Sequence, residues 1–263
     1  MKKLYFIILI QIFFYSCIDI IIDEEFYESV HLQRSGWFEF YEDNQSEKLY
    51  FETNINSSIQ IWFSGEEQLW EISPCILNVK GENNSLSIYR TLNTNNEIAI
   101  YLNDSLLQIV ELESTDFNDE TKFYLLSAVM NNGQFLLYFD NIALLDEPAE
   151  WDDPYYSYQI GTSFNEEDHV TNLWYGYIDE IRLWNTSLSQ EIINFHYIYS
   201  DKVSSSYNEE YLEYLIGLWD FKINTQGEGN LSHIFQDIND YQMYTILYTS
   251  NTGTQNELST NGR

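Results

Sequence analysis

The sequence predicts an all-β domain in which two sheets pack face to face. Three observations carry this prediction. Short runs alternate apolar and polar residues with period two, the spacing that puts one set of side chains on each face of a strand. Polar turns rich in Asn separate them at roughly 8–12-residue intervals, the rhythm of a sandwich or barrel. Aromatics reach 17% of the 263 residues, with 22 Tyr and only 3 Pro, a bias that favours strands over helices.

Residues 1–16 are laid out as a secretory signal: Lys2 and Lys3 form a positive end, and residues 4–15 are apolar except for Gln11. Twelve or so apolar residues fall short of the roughly 20 a membrane-spanning helix needs. Ser16-Cys17 follows at once and resembles the lipobox of bacterial lipoproteins, whose cysteine is acylated and becomes the mature N-terminus. Lipidation of Cys17 leaves Cys75 as the second of two cysteines, read as a small buried hydrophobe between Pro74 and Ile76; a Cys17–Cys75 disulfide is the competing arrangement. Residues 17–29, with Asp23, Glu24 and Glu25, read as an acidic tether, residues 30–249 as one domain, and residues 250–263 as a loose polar tail.

Within the domain, residues 57–63 alternate Ile59, Ile61 and Phe63 against Gln60 and Trp62. Glu97–Leu102 alternates Ile98, Ile100 and Leu102 against Ala99 and Tyr101, and residues 135–139 set Phe135, Leu137 and Phe139 against Leu136 and Tyr138. The turns at Asn103-Asp104, Asn131-Asn132-Gly133 and Asp140-Asn141 carry residues that tolerate a left-handed backbone. Helical character is confined to residues 190–197, with Ser189 placed to cap and Glu191 in the first turn; a second short helix is expected over residues 208–215.

Tyr175-Gly176-Tyr177-Ile178-Asp179-Glu180-Ile181-Arg182-Leu183-Trp184-Asn185, followed by Leu188-Ser189-Gln190-Glu191-Ile192-Ile193, resembles the closing signature of LamG-like jelly rolls. These are akin to pentraxins and belong to the concanavalin A-like lectin/glucanase superfamily. The resemblance implies a concanavalin A-like β-sandwich, a jelly roll with one or two short helices. Ser58–Phe63, Phe135–Asn141, Ile160-Gly161 and Leu215–Phe221 fall in the order of that family's other strands. On a strictly alternating strand Asp179, Ile181 and Leu183 share one face and Ile178, Glu180, Arg182 and Trp184 the other. Ile181 and Leu183 are then core, and Glu180 and Arg182 form a partly exposed pair worth about 0.2–1 kcal/mol.

A formal net charge of -31 from 11 Lys+Arg and 42 Asp+Glu excludes nucleic acid as a principal ligand and leaves the N-terminal lipid as the expected membrane contact. Family 16 glucanases of the same superfamily carry Glu-x-Asp-x-x-Glu on one strand, and no such motif occurs. The four His (His31, His169, His196, His233) are scattered and form no metal-binding motif. The sequence therefore points away from an enzyme. By the pentraxin likeness, Asn95 and Asn96 before one strand, with Glu166, Glu167 and Asp168 after Ile160-Gly161, are candidate ligands for Ca2+, the alternative being a solvated acidic loop. Asp146-Glu147 and Asp152-Asp153, flanking Trp151, are a second candidate. Trp62, Trp184 and Trp219 lie in strand patterns and are expected in the core. Trp70, Trp151, Tyr155, Tyr156, Trp174 and Tyr175 fall in or near loops and are the candidate sugar-stacking surface.

The expected function is a lipid-anchored, non-catalytic recognition module for glycan or a surface protein, on the outer membrane or cell surface of a bacterium. The alternatives are a glycoside hydrolase or lyase with an unrecognised carboxylate pair, and a purely structural or adhesive protein.

Overall fold

The computed structural model describes residues 26–27, 29–33, 37–42, 47–67, 72–92, 94–145, 151–164, 170–200, 213–220, 223–224, 244–247 and 257–259. It is the β-sandwich that the sequence predicts, with one short α-helix among the described residues. The larger sheet runs Ser105–Glu111, Glu97–Leu102, Ser85–Arg90, Cys75–Gly81, Tyr155–Ile160, Phe38–Glu42 and Tyr244–Leu247. The smaller runs Ile142–Leu145, Gln134–Phe139, Tyr124–Asn131, Ser57–Gly65, Tyr175–Trp184, Ser29–Gln33 and Glu257–Ser259, with Leu215–Asp220 also paired to Tyr175–Trp184. Each described pairing in the two sheets is antiparallel.

The alternation read in the sequence decides which side chains meet between the sheets. Ile59, Ile61, Phe63, Ile98, Ile100, Phe135, Leu137, Ile181 and Leu183 are all fully buried there. The hairpin at Asn103 (φ 50) and Asp104 (φ 59) joins Leu102 to Ser105, and that at Asn132 (φ 49) and Gly133 (φ 82) joins Asn131 to Gln134. Two central residues with positive φ give the type I′ twist that fits a two-residue hairpin. Cys75 is a free, fully buried thiol whose pKa burial pushes well above the usual range; Cys17 lies outside the described residues.

Ser189 caps the helix Gln190–Ile198 by accepting a hydrogen bond from Ile192 N (3.4 Å). Ile192 and Ile193 pack with Val129, Tyr138 and Trp184 on the outer face of the smaller sheet. Beneath the helix, Gln60 Oε1 accepts from Trp184 Nε1 (3.2 Å) and lies 2.9 Å from His196 Nδ1, while Gln60 Nε2 donates to Ser127 (3.2 Å). The outer face here is thus a second, smaller core. Of residues 208–215, expected to be helical, 208–212 lie outside the described residues, and Leu215 opens a strand.

The strand Tyr175–Trp184 departs from strict alternation. Ile178 pairs with Phe63 but Glu180 pairs with Trp62, a register shift that makes Asp179 an extra residue. Ile178 consequently faces the core with Ile181 and Leu183, rather than outward with Glu180 as simple alternation predicts. Nor is the Glu180–Arg182 pair partly exposed. Arg182 donates to Glu180, its guanidinium sits 4.3 Å from the Trp62 ring centroid, and it donates to Ser200 O (2.7 Å). The turn after the helix brings Ser200 over the pair and buries it.

Asp140 (φ 54) accepts from Leu125 N (2.9 Å). Burial pushes its carboxyl up to about 6, against the smaller opposing effect of that hydrogen bond. The native state therefore keeps this proton at pH values where the unfolded chain has lost it, and stability falls as pH rises from about 4 to about 6. Asp140→Asn retains the acceptor and the left-handed backbone. It is expected to stabilise the protein by about 1–3 kcal/mol at pH 7 and to be neutral below pH ~4, as read by urea denaturation at the two pH values.

Candidate functional site: a tyrosine-walled cleft on the larger sheet

Leu86 and Ile88, and Ile98 and Ile100, point into the sandwich. Their neighbours Tyr89, Ala99 and Tyr101 must therefore project from the outer face. Register places Ala99 opposite both Tyr89 on one side and Ile109 on the other. A methyl group between two large side chains leaves a hollow. Tyr101, one step further along, stands edge-on to Tyr89 with ring centroids 5.2 Å apart at 86°. The cleft has a volume of about 570 Å³, within the range of small-molecule sites.

The far wall is made by Ile72, Ser73 and Asn172. Asn172 (φ 53) donates from Nδ2 to Ser73 O (2.7 Å) and accepts at its carbonyl from Cys75 N (2.7 Å), which ties the wall to the sheet. Thr91, Leu92 and Asp104 complete the rim. Ile72 (56%) and Ile109 (53%) are more than half exposed and form an apolar lip to the cleft.

A ladder of hydrogen bonds crosses four strands towards the cleft. Gln159 Nε2 donates to Glu39 (2.9 Å), Asn78 Nδ2 to Gln159 Oε1 (2.8 Å), and Ser87 Oγ to Asn78 Oδ1 (3.0 Å). Tyr89 stands two residues beyond Ser87 on the same strand face. Burial first, and then the neighbouring Cys75, raise the Tyr89 pKa, so the phenol stays neutral. Its ring is braced edge-on by Tyr101.

The loop residues singled out from sequence fall elsewhere. Trp174 is fully buried; its Nε1 donates to Ser64 O (3.0 Å) and it stands edge-on to Phe63 and Phe117. Tyr156 is fully buried with its hydroxyl bonded to Ser57, and Trp151 packs edge-on against it. None of these three rings offers a face to a ligand, because the segments that carry them fold back onto the core edge. Tyr155 alternates with Tyr156 and points out; it is 51% exposed and lines a separate cleft of about 440 Å³ with Tyr50 (54% exposed) and Pro154. Tyr175 is half-buried beside His31, 5.8 Å between centroids, in a cluster where His31 stacks on Tyr177 and its Nε2 lies 2.6 Å from Glu66 Oε1. Burial acts to raise the Glu66 pKa, but hydrogen bonds and charge from His31, Tyr175 and Tyr177 bring it below the usual carboxylate value. Trp70 lies outside the described residues.

Of the candidate calcium ligands, Glu166, Glu167 and Asp168 lie outside the described residues. Asn95 Nδ2 donates to Asp116 (2.7 Å) and Asn96 Nδ2 to Glu111 (3.3 Å). Among the described residues no three His, Cys, Asp or Glu side chains converge. Asp153 is also committed, accepting from Asn83 N (2.7 Å) and Asn84 N (2.7 Å). It fastens the turn after Cys75–Gly81.

No protein-family model matches the chain, and neither does any curated protein. Solved structures do share the fold. A candidate carbohydrate-binding protein from Bacteroides ovatus ATCC 8483 superposes with a TM-score of 0.55 at 8% identity, over 89% of this chain and 60% of that one. Trypanosoma rangeli sialidase, in complex with a difluoro-nononic acid, superposes with a TM-score of 0.50 at 13% identity, over 68% of this chain and 28% of that one. The chain thus spans less than two thirds of either. At such identities the shared property is the β-sandwich itself.

Proposed function

We propose that the chain is a non-catalytic glycan-recognition module, carried on the bacterial envelope by a lipid at Cys17. The observation that carries this reading is the cleft around Ala99. Two tyrosine rings and an apolar lip provide surfaces for the C–H faces of a sugar, and Asn172, Thr91, Ser73 and Asp104 stand around them as hydrogen-bonding groups. The sandwich neighbours include a candidate carbohydrate-binding protein, which supports the same reading. Titration of immobilised glycans should give saturable binding without release of new reducing ends. Turnover of a polysaccharide, lost on one Asp or Glu substitution, would instead establish the hydrolase or lyase alternative.

A second reading, docking of a surface protein, is favoured by the edge strand Ser105–Glu111, where Leu106 (50%) and Leu107 (43%) are exposed beside Ile109. A bulge between Leu106 and Gln108 interrupts that edge, which argues against simple strand addition.

The anchor rests on Lys2, Lys3, the apolar run of residues 4–15 and Ser16-Cys17. Acyl chains contribute about 0.8 kcal/mol per buried methylene, and more than one chain is needed for stable attachment. Cys17→Ser is expected to move the protein from the membrane pellet to the soluble fraction. Continued membrane association would show that the apolar segment is retained as an uncleaved helix.

A further inference from the structure

We infer that the cleft takes uncharged or cationic sugars and rejects uronate and sialate chains. This rests on the glycan reading above and concerns the same site. Recognition of a sugar carboxylate draws on Arg or Lys, whose charged N–H groups meet the anion, or on a bound cation. Among the described residues, the lining of the cleft contains neither Arg nor Lys, and its one carboxyl is Asp104.

Arg90, Arg182, Lys122 and Lys80 all lie outside the cleft. Arg90 follows Tyr89 in sequence, but strand alternation turns it inward, where it donates to Glu66 O (2.7 Å) and Phe117 O (3.1 Å). Arg182 is buried against Glu180 and Trp62, and Lys122 lies 3.1 Å from Asp119. Lys80 sits on the Cys75–Gly81 strand, outside the cleft lining.

Asp104, by contrast, is exposed on the rim, and its charge is felt at Tyr89 across the cleft. Its left-handed backbone, φ 59, belongs to the two-residue turn at the head of the hairpin. The formal charge of -31 adds a repulsion that reaches an approaching polyanion over about a Debye length, roughly 8 Å at physiological salt. An ammonium or a hydroxyl opposite Asp104 meets an acceptor; a carboxylate meets a like charge with no cation beside it among the described lining residues.

The test uses the full chain in detergent and three soluble hexasaccharides, measured by calorimetry at low salt: cello-hexaose, the glucosamine hexamer, and a mannuronate hexamer. The neutral and cationic hexamers should bind, and the uronate should bind at least tenfold more weakly, a deficit that shrinks as salt is added. Asp104→Asn, which keeps a residue suited to positive φ, should weaken the glucosamine hexamer severalfold and leave cello-hexaose within twofold. Ala99→Phe should remove binding of both, which places them in this cleft. Uronate binding as tight as that of cello-hexaose and lost in Ala99→Phe would overturn the inference while leaving the glycan reading intact. Failure of all three hexamers to bind would overturn both.

Discussion

Ala99→Phe is expected to lower glycan affinity by at least tenfold, about 1.4 kcal/mol or more, with the thermal midpoint moved by only a few degrees. The position is a floor between Tyr89 and Ile109. A benzyl group there fills the hollow that a sugar ring would occupy. It projects from the outer face, so the interior behind Ile98 and Ile100 is not asked to accommodate extra volume, in contrast to overpacking of a closed core. Calorimetric titration gives the affinity, and thermal unfolding monitored by circular dichroism shows that the fold persists. Undiminished binding in a folded Ala99→Phe protein would remove the cleft from consideration.

Trp174→Ala is expected to act in the opposite way, on stability rather than on recognition. The indole is fully buried, packs edge-on against Phe63 and Phe117, and donates to Ser64 O. Truncation of a core Trp costs about 3–5 kcal/mol, and here it also leaves the Ser64 carbonyl without its indole donor. For a domain of this size the midpoint should fall by roughly 6–20 °C. The strand beside it cannot readily close the gap. Gly176 lies against Ser64 and Gly65 so tightly that a Cβ on it would stand 2.2 Å from Ser64 O. A Trp174→Ala protein with unchanged urea midpoint but impaired glycan binding would return this side chain to the list of ligand contacts.

These two residues also show what the sequence could and could not reveal. Period-two patterning made the faces of Glu97–Leu102 legible, including Ala99 and Tyr101 on the side away from the core. What it hid is that three successive strands align Tyr89, Ala99 and Ile109 into a hollow; that depends on register, which alternation alone leaves open. Aromatics in loops were the natural place to look for sugar contacts, yet Trp151, Tyr156 and Trp174 are drawn onto the core edge. A large ring near a strand end gains more from burial than from exposure unless something else covers the edge. Asn103, Asp104 and Asn132 were readable as turns because few other residues tolerate positive φ. The helix was readable from Ser189 and the apolar pair Ile192 and Ile193, although its place outside the sandwich, over Gln60 and Trp184, was not.

The additional residue at Asp179 has a consequence for how this strand may vary. Before it, odd-numbered side chains such as Tyr177 look away from the interior; after it, odd-numbered ones such as Ile181 and Leu183 look inward. Asp179 therefore acts as a punctuation mark between two reading phases. Excising it alone would make Ile178 and Glu180 successive residues opposite Phe63 and Trp62, so Ile178, Ile181 and Leu183 would all keep their inward facing. A single deletion at any other position of the strand would set one of its ends against the wrong layer, so position 179 is where relatives can lose one residue without a compensating change.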